Sequence, residues 1–297
     1  MSTLTASSSK SPAYARLPAE PKPRFRDLCR MEWIKVASLR STWFVLIAAA
    51  LATVFINLNG VHSDLQYLDQ NLAHPTGVGP DGRVWHFVYN PLFRSLSEIA
   101  VQLMMLGAAA IGALTMFGEF STGQVRTTFA AVPRRGGVVA AKITVLGVIT
   151  TVLALLVALI SFLGGQAMVA GRHVGLPITD HDAQIAIAAY TLVVPVCALV
   201  GMLFGTLIRN ATASIVAVVA FLFLMPAFFG GDKYRWVAEA RHLFPGNAES
   251  TLTFWAKDPF QTNGKWPASH THSWLVLAGW AVFSIITALV VVRKRDA

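Results

Sequence analysis

Six long apolar stretches constrain this chain more than any other feature: Thr42–Asn59, Leu96–Phe117, Ile143–Leu163, Ile185–Ile208, Ala211–Phe229 and Trp274–Val292. Each approaches or exceeds the roughly 20 apolar residues that carry a helix across hydrocarbon. Glu98, near the start of the second stretch, is the one formal charge among them. Every backbone amide in hydrocarbon must be bonded within the protein, which selects helices over open sheets, and these runs are too long and continuous for barrel strands. The expected fold is therefore an all-α membrane protein with six transmembrane helices in one domain, 24–297. Charged residues make up 13% of the 297, where a soluble domain carries about 25%. That argues against a soluble catalytic fold.

Orientation follows from lysine and arginine. With the N-terminus inside, 16 of the 24 fall in cytosolic segments, whereas 10 of the 15 acidic residues fall outside. Positive charge gathers on the cytosolic side of membrane proteins, and an even number of spans returns the C-terminus to that side. The expectation is a multi-pass protein of the plasma membrane (the bacterial inner membrane) with both termini cytosolic. The net charge of +9 is then mainly a topology signal plus attraction to anionic lipid. The basic residues are not gathered on one surface, so nucleic acid is not an expected partner. Residues 1–23, rich in Ser, Pro and Ala, have the composition of a disordered cytosolic tail. They lack the apolar core of a signal peptide. The two cysteines, Cys29 and Cys197, sit in different settings and support no disulfide framework.

The segment Phe25–Arg40 has Phe25, Leu28, Cys29, Val36 and Leu39 on one helical face and charges mainly on the other. It reads as an amphipathic helix lying at the inner interface and feeding the first span. Glu32 falls in the middle of the apolar stripe. A buried carboxylate requires a partner; a rolled helix would instead give Glu32 to headgroups or water.

The run EWIKVASLRSTWFVL (Glu32–Leu46), with Glu32, Trp33, Lys35 and Arg40, resembles the E-W-x-K…R-S-T-W pattern that opens many actinobacterial ABC transporter permeases. EFSTGQVRTTFAAVPRR (Glu119–Arg135) resembles the acidic-S-T-G-x-x-R-T-[ST]…P-R-R element of the same type-2 exporter permeases (the ABC-2 membrane family). LFPGNAES (Leu243–Ser250) is similar to the L-P-x-x-A segment between that family's fifth and sixth helices. The resemblance implies a coupling helix between spans 2 and 3 that docks on an ATPase subunit. Its residues here are Glu119, Ser121, Thr122, Gly123, Gln124, Arg126, Thr127, Phe129, Pro133, Arg134 and Arg135. The local chemistry suits that role. Ser121 and Gln124 have capping-box spacing, Val125, Phe129 and Val132 share a face, and Pro133 stops the helix. Arg126 supplies a planar donor for a carboxylate, and Arg134 and Arg135 suit lipid or the partner. The competing reading is a plain cytosolic loop with topogenic arginines.

The chain has no G-x-x-x-x-G-K-[ST] phosphate loop. It is expected to bind no cofactor and hydrolyse no ATP, with ATP and Mg held by a separate ABC ATPase. The resemblance implies a second permease half, either another copy or a related chain. Gly201 with Gly205, and Ala108 with Gly112, allow close helix approach, within one subunit more readily than across a dimer. Pro195 in the fourth span is read as shaping that helix rather than gating it. Between spans 5 and 6, Trp236, Val237, Ala240, Leu243 and Phe244 recur at helical spacing, so a helix is expected over Tyr234–Phe244. The family has short re-entrant helices here, capping the exit. Glu98, with Arg94 one turn earlier, is a candidate for the lining of that outer vestibule. All eight histidines fall in outer segments or their edges. The pair His270 and His272 matches no zinc template and reads as surface.

Three functions compete: the permease subunit of an ATP-driven exporter of a hydrophobic or amphipathic substrate (lipid, drug-like molecule or peptide), an ion-coupled secondary transporter, and a six-helix intramembrane hydrolase. The second wants acidic groups at mid-membrane, where only Glu98 offers itself. The third wants a nucleophile motif and a buried histidine, and G-x-S-G is absent.

Overall fold

The computed structural model describes residues 23–73, 76–78, 84–86, 89–121, 135–208, 210–231, 233–254 and 265–294. The chain enters through α1 (Phe25–Ser38), which stops at Leu39, where the backbone turns extended, and restarts as α2 (Arg40–Ala73). A short antiparallel hairpin, β1 (Thr76–Val78) with β2 (Val84–His86), leads to α3 (Pro91–Ser95). Asn90 caps α3 by accepting the Leu92 amide at 3.0 Å, and Pro91 fills the first helical position, where a missing N–H costs nothing. The backbone breaks at Leu96 and resumes as α4 (Glu98–Ser121). α5 (Arg135–Val169) ends in the 3-10 turn Ala170–Arg172. Asp180 opens α6 (His181–Ile208) by accepting the Asp182 amide, and Asn210 opens α7 (Ala211–Val219) by accepting the Ala213 amide. After α7 come α8 (Met225–Phe228), α9 (Arg235–His242), α10 (Pro245–Phe254) and α11 (His270–Lys294).

Six helical segments are long and apolar enough to cross a membrane: Arg40–Ala73, Pro91–Gly118, Gly136–Arg172, His181–Ile208, Ala211–Phe228 and His270–Val292. Each contains one of the six apolar runs, except that Phe229 falls one residue past the fifth. This is an all-α, multi-pass membrane protein. Large side chains that face outward, such as Phe44 (75% exposed) and Phe55 (69%) on α2, suit a lipid environment.

The bundle closes around α6. In its most apolar window 67% of residues are buried, against 17% for the fifth span and 28% for the sixth, which therefore lie at the periphery. The tightest seam is between α4 and α6. A methyl added to Gly201 would run into the Ala109 carbonyl, one on Gly205 into that of Ala113, and one on Gly112 into that of Ala198. The small-residue pairs thus pack inside one chain, as small residues do where backbones approach closely. α6 runs unbroken through Pro195.

Buried polar groups fasten α2 to its neighbours. Asn57 donates to Ser161 of α5 at 3.0 Å and accepts the Ser97 amide at 3.0 Å, satisfying a donor left free where α3 and α4 separate. Thr53 donates to the Ala100 carbonyl at 3.1 Å. α2 continues well past Asn59 because Val61, Leu65 and Leu68 keep an apolar stripe, packed on Val169. Beyond it, Arg172 grips Asp69 through two bonds of 2.6 and 2.9 Å.

Candidate functional site

Two places in the fold concentrate polar chemistry, one at each end of the bundle. At the α1 end, Glu32 projects from the buried face of α1, beside Leu28 and Val36, and is 0% exposed. Its Oε1 accepts Lys35 Nζ at 2.8 Å and its Oε2 accepts Lys142 Nζ, from α5, at 2.6 Å. The Lys142 side chain is itself only 7% exposed. Leu28 packs on Val138 and Ala141 around this pair. Glu32 thus meets cations instead of headgroups, and α1 lies against the start of α5. Trp33 is 48% exposed and Arg40 is exposed.

The segment that resembles a coupling helix joins α4 to α5. Glu119 and Ser121 lie in the last turn of α4, and Arg135 is the first residue of α5. Thr122, Gly123, Gln124, Arg126, Thr127, Phe129, Pro133 and Arg134 lie outside the described residues. Lys142 of the Glu32 ion pair lies two turns into α5, the helix that follows the segment.

At the far end a cavity of about 290 Å³ opens between α4, the fifth span and the α9–α10 pair. Glu98 and Gln102 line its α4 side, and Gln102 donates to Glu98 Oε1 at 3.3 Å. The expected pairing of Glu98 with Arg94 does not form. The break at Leu96 removes the continuous turn that an i, i+4 pair needs, and Arg94 bonds Asp64 of α2 at 3.0 Å instead. Glu98 therefore lines the cavity and Arg94 does not.

The expected outer helix is α9, followed by a second helix, α10. On α9 the face foreseen from spacing is turned partly outward, with Trp236 65% and Leu243 53% exposed. α10 is the buried one. Ala248, Glu249, Leu252 and Thr253 are each 3% exposed or less, and α10 packs on α6 and α11. Sequence reasoning missed Glu249. The signal was available: Phe244, Ala248 and Leu252 recur every four residues, which would have placed the neighbouring carboxylate on a helix with a buried face.

Glu249 is the least satisfied charge-bearing group described here. Its Oε1 accepts the Thr253 hydroxyl at 2.7 Å, whereas Oε2 is buried with no hydrogen-bond partner among the described residues; the residue lines the cavity. Burial, opposed by the Thr253 bond and helped by the Glu98 charge, pushes its carboxyl up to about 8. The cavity's outer wall comes from an irregular stretch of the fifth span. Residues Ala220–Leu224 form a π-helical turn, with the Met225 amide reaching back five residues to the Ala220 carbonyl. Pro226 explains it: proline has no N–H for the Leu222 carbonyl and its ring crowds that carbonyl, so the helix widens. Such bulges are frequent at functional sites. Leu222, Phe223 and Pro226 all line the cavity.

Elsewhere, His242 Nε2 lies 2.9 Å from the Trp266 carbonyl, with its ring 6.5 Å from that of His272. Among the described residues no three His, Cys, Asp or Glu side chains are arranged to hold a metal ion.

Six spans closed around α6, with an ion-paired helix at one end and a polar cavity at the other, define a multi-pass α-helical membrane protein. Compared with known families and with curated proteins, the chain matches no family model and no curated protein.

Proposed function

We propose that this chain is the membrane-spanning permease subunit of an ATP-driven exporter, moving a hydrophobic or amphipathic substrate by alternating access. It sits in the plasma membrane with α1 and both termini cytosolic. A separate ABC ATPase holds ATP and Mg, and a second permease half completes the transporter. The observation that carries this reading is the buried Glu32–Lys142 pair at 2.6 Å. It fastens the helix before the first span to the base of the third, the helix that follows the segment resembling a coupling helix. Each of the two is a buried ion that loses an opposite charge when the other is removed, so a force passed into the base of α5 moves α1 with it. The resemblance of Glu32–Leu46 and Glu119–Arg135 to type-2 exporter permeases supports the same reading.

The test is Arg126→Glu. If Arg126 meets an acidic group on the ATPase, the exchange sets like charges together at a partly desolvated contact and costs several kcal/mol of docking. The variant is expected to fold and reach the membrane while losing co-purification with the ATPase, transport and transport-stimulated ATP hydrolysis. Full association together with full transport would reduce the segment to a topogenic loop and defeat the proposal.

One observation favours a second reading, a proton-coupled secondary transporter. Glu249 is a buried carboxyl inside the helical bundle, the type of group such transporters use. Transport by the chain alone in vesicles, driven by a pH gradient and abolished by a protonophore, would select it.

A further inference from the structure

We propose that the far-end cavity binds a monovalent organic cation, an ammonium carrying apolar substituents, whose charge is received by the Glu249 carboxylate. The inference rests on the cavity's geometry and holds whether the chain is driven by ATP or by protons.

The reasoning starts from what Glu249 lacks. It is 1% exposed, it projects from a helix packed in the core, and one of its two oxygens has no partner. A buried polar atom left unsatisfied costs free energy unless something visits it. Among the described residues nothing completes it: Thr253 satisfies Oε1 alone, and Arg241, which stands on the α9 side of the same cavity, is not bonded to Glu249. A second carboxylate, Glu98, lines the opposite side and is oriented by Gln102. With Glu249 ionised, the described lining carries two carboxylates against one guanidinium, which selects a cation over an anion.

The remaining lining sets the kind of cation. Val101, Met105, Leu222, Phe223 and Ala227 bring apolar surface to the same space. A bare Ca²⁺ would want six to eight oxygen ligands, whereas an ammonium wants one carboxylate and an apolar shell. Phe223 adds an aromatic ring, a surface that attracts cations. The π turn at Ala220–Leu224 widens the fifth span where the ligand's apolar part would rest.

The proton is the ligand's competitor. Burial raises the Glu249 carboxyl to about 8, so proton and cation compete for it and the cation gains as pH rises. The charged and titratable groups around it are Glu98 on α4, Arg241 and His242 on α9, Tyr190 and Cys197 on α6, Arg94 on α3, and His270 and His272 at the start of α11. Of these, only Glu98 and Arg241 share the cavity lining.

The probe is benzyltrimethylammonium, whose charge is permanent, with neutral benzyl alcohol as its control. The full chain is held in phosphatidylcholine nanodiscs, with empty discs as the blank. Equilibrium dialysis is expected to show saturable binding of the cation that tightens about ten-fold per pH unit from 6 to 8 and levels off above. Benzyl alcohol is expected to bind weakly and without pH dependence. Glu249→Gln should lose about 10- to 100-fold of the affinity at pH 9, the lower part of the range for a close, desolvated charge pair, together with the pH slope. Arg241→Gln should shift affinity the other way, because it removes the opposing charge. A wild-type affinity that does not change between pH 6 and 9 overturns the proposal. So does undiminished binding by a folded Glu249→Gln variant, or the absence of saturable binding at pH 9. Should Glu249→Gln not fold, the wild-type pH series decides alone. A driving-force failure and a failure of this site are separable, because the assay contains neither ATP nor a gradient.

Discussion

Lys142 and Glu32 show how much one residue pair settles about this chain. Neither side chain has meaningful access to water, so the pair's value lies less in net attraction than in what each charge would suffer alone. Lys142→Met is expected to destabilise the protein by about 3–5 kcal/mol. Lys35 stays bonded to Glu32 but is 29% exposed, which keeps the loss toward the lower end. The double variant Glu32→Leu, Lys142→Met should recover most of it, since a well-packed apolar pair can replace a buried ion pair. Chemical denaturation in detergent at one pH checks the cycle. Additive losses, with no rescue in the double variant, would mean that the two residues act independently. The need for a partner was legible from the stripe of α1, because a carboxylate between Leu28 and Val36 is expensive to bury. The partner's identity was not legible, because Lys142 lies 110 residues on and no local pattern links the two.

Among the elements, the α4–α6 seam depends on having no side chains where the backbones meet. Gly201→Leu is expected to abolish folded protein, since the new side chain runs directly into the Ala109 backbone and neither helix can yield without dragging the core. Gly147→Ala is the matched control, because a methyl there meets nothing within 4 Å. Size-exclusion profiles and thermal melts of the two variants decide. A monodisperse Gly201→Leu protein with a wild-type melting temperature would refute the packing argument. The apolar runs marked where the spanning helices lie, but not how far they extend. α2 runs on to Ala73 and α5 begins at Arg135 because Val61, Leu68, Val138 and Ala141 keep helical spacing within polar surroundings. A search for continuous hydrophobicity stops where amphipathicity takes over. The π turn hung on a single residue, Pro226, which lies inside the fifth apolar run and does not interrupt its hydropathy. Glu249 escaped for a related reason: its segment was weighed as an outer loop, and burial inside a bundle leaves no mark on hydropathy when the helix is only ten residues long.

On the scale of the molecule, the charge distribution fixes a testable orientation. In a background of Cys29→Ala and Cys197→Ala, single cysteines near Asp81 and Asn263 should react with an impermeant thiol reagent in intact cells, and one at position 124 should not. The reverse pattern would invert the orientation and put the Glu249 cavity on the cytosolic side. Sequence carries an expectation of orientation because lysine and arginine are sorted during insertion. Which helix sits at the centre was much harder to read. α6 does not stand out in apolarity, since its mean hydropathy of 2.3 falls between 1.9 for the second span and 2.8 for the third. Only its run of small residues, Ala198, Gly201 and Gly205, hinted that it would be surrounded by other helices.

The length of α2 has a mechanical consequence. Its 34 residues make a rod of about 51 Å at 1.5 Å per residue, roughly 20 Å more than the hydrocarbon is thick. The excess stands clear of the bilayer at the far end, where Arg172 lashes its tip to the end of α5. A rod of this length acts as a lever that carries with it the elements bonded along it. A tilt of about 5° at the α1 end carries the tip sideways by about 4 Å at this length. Asp64, which holds Arg94, lies on that protruding part, and α3 hangs from it beside Glu98. A small rotation at one face of the membrane therefore arrives at the other as a displacement wider than a water molecule.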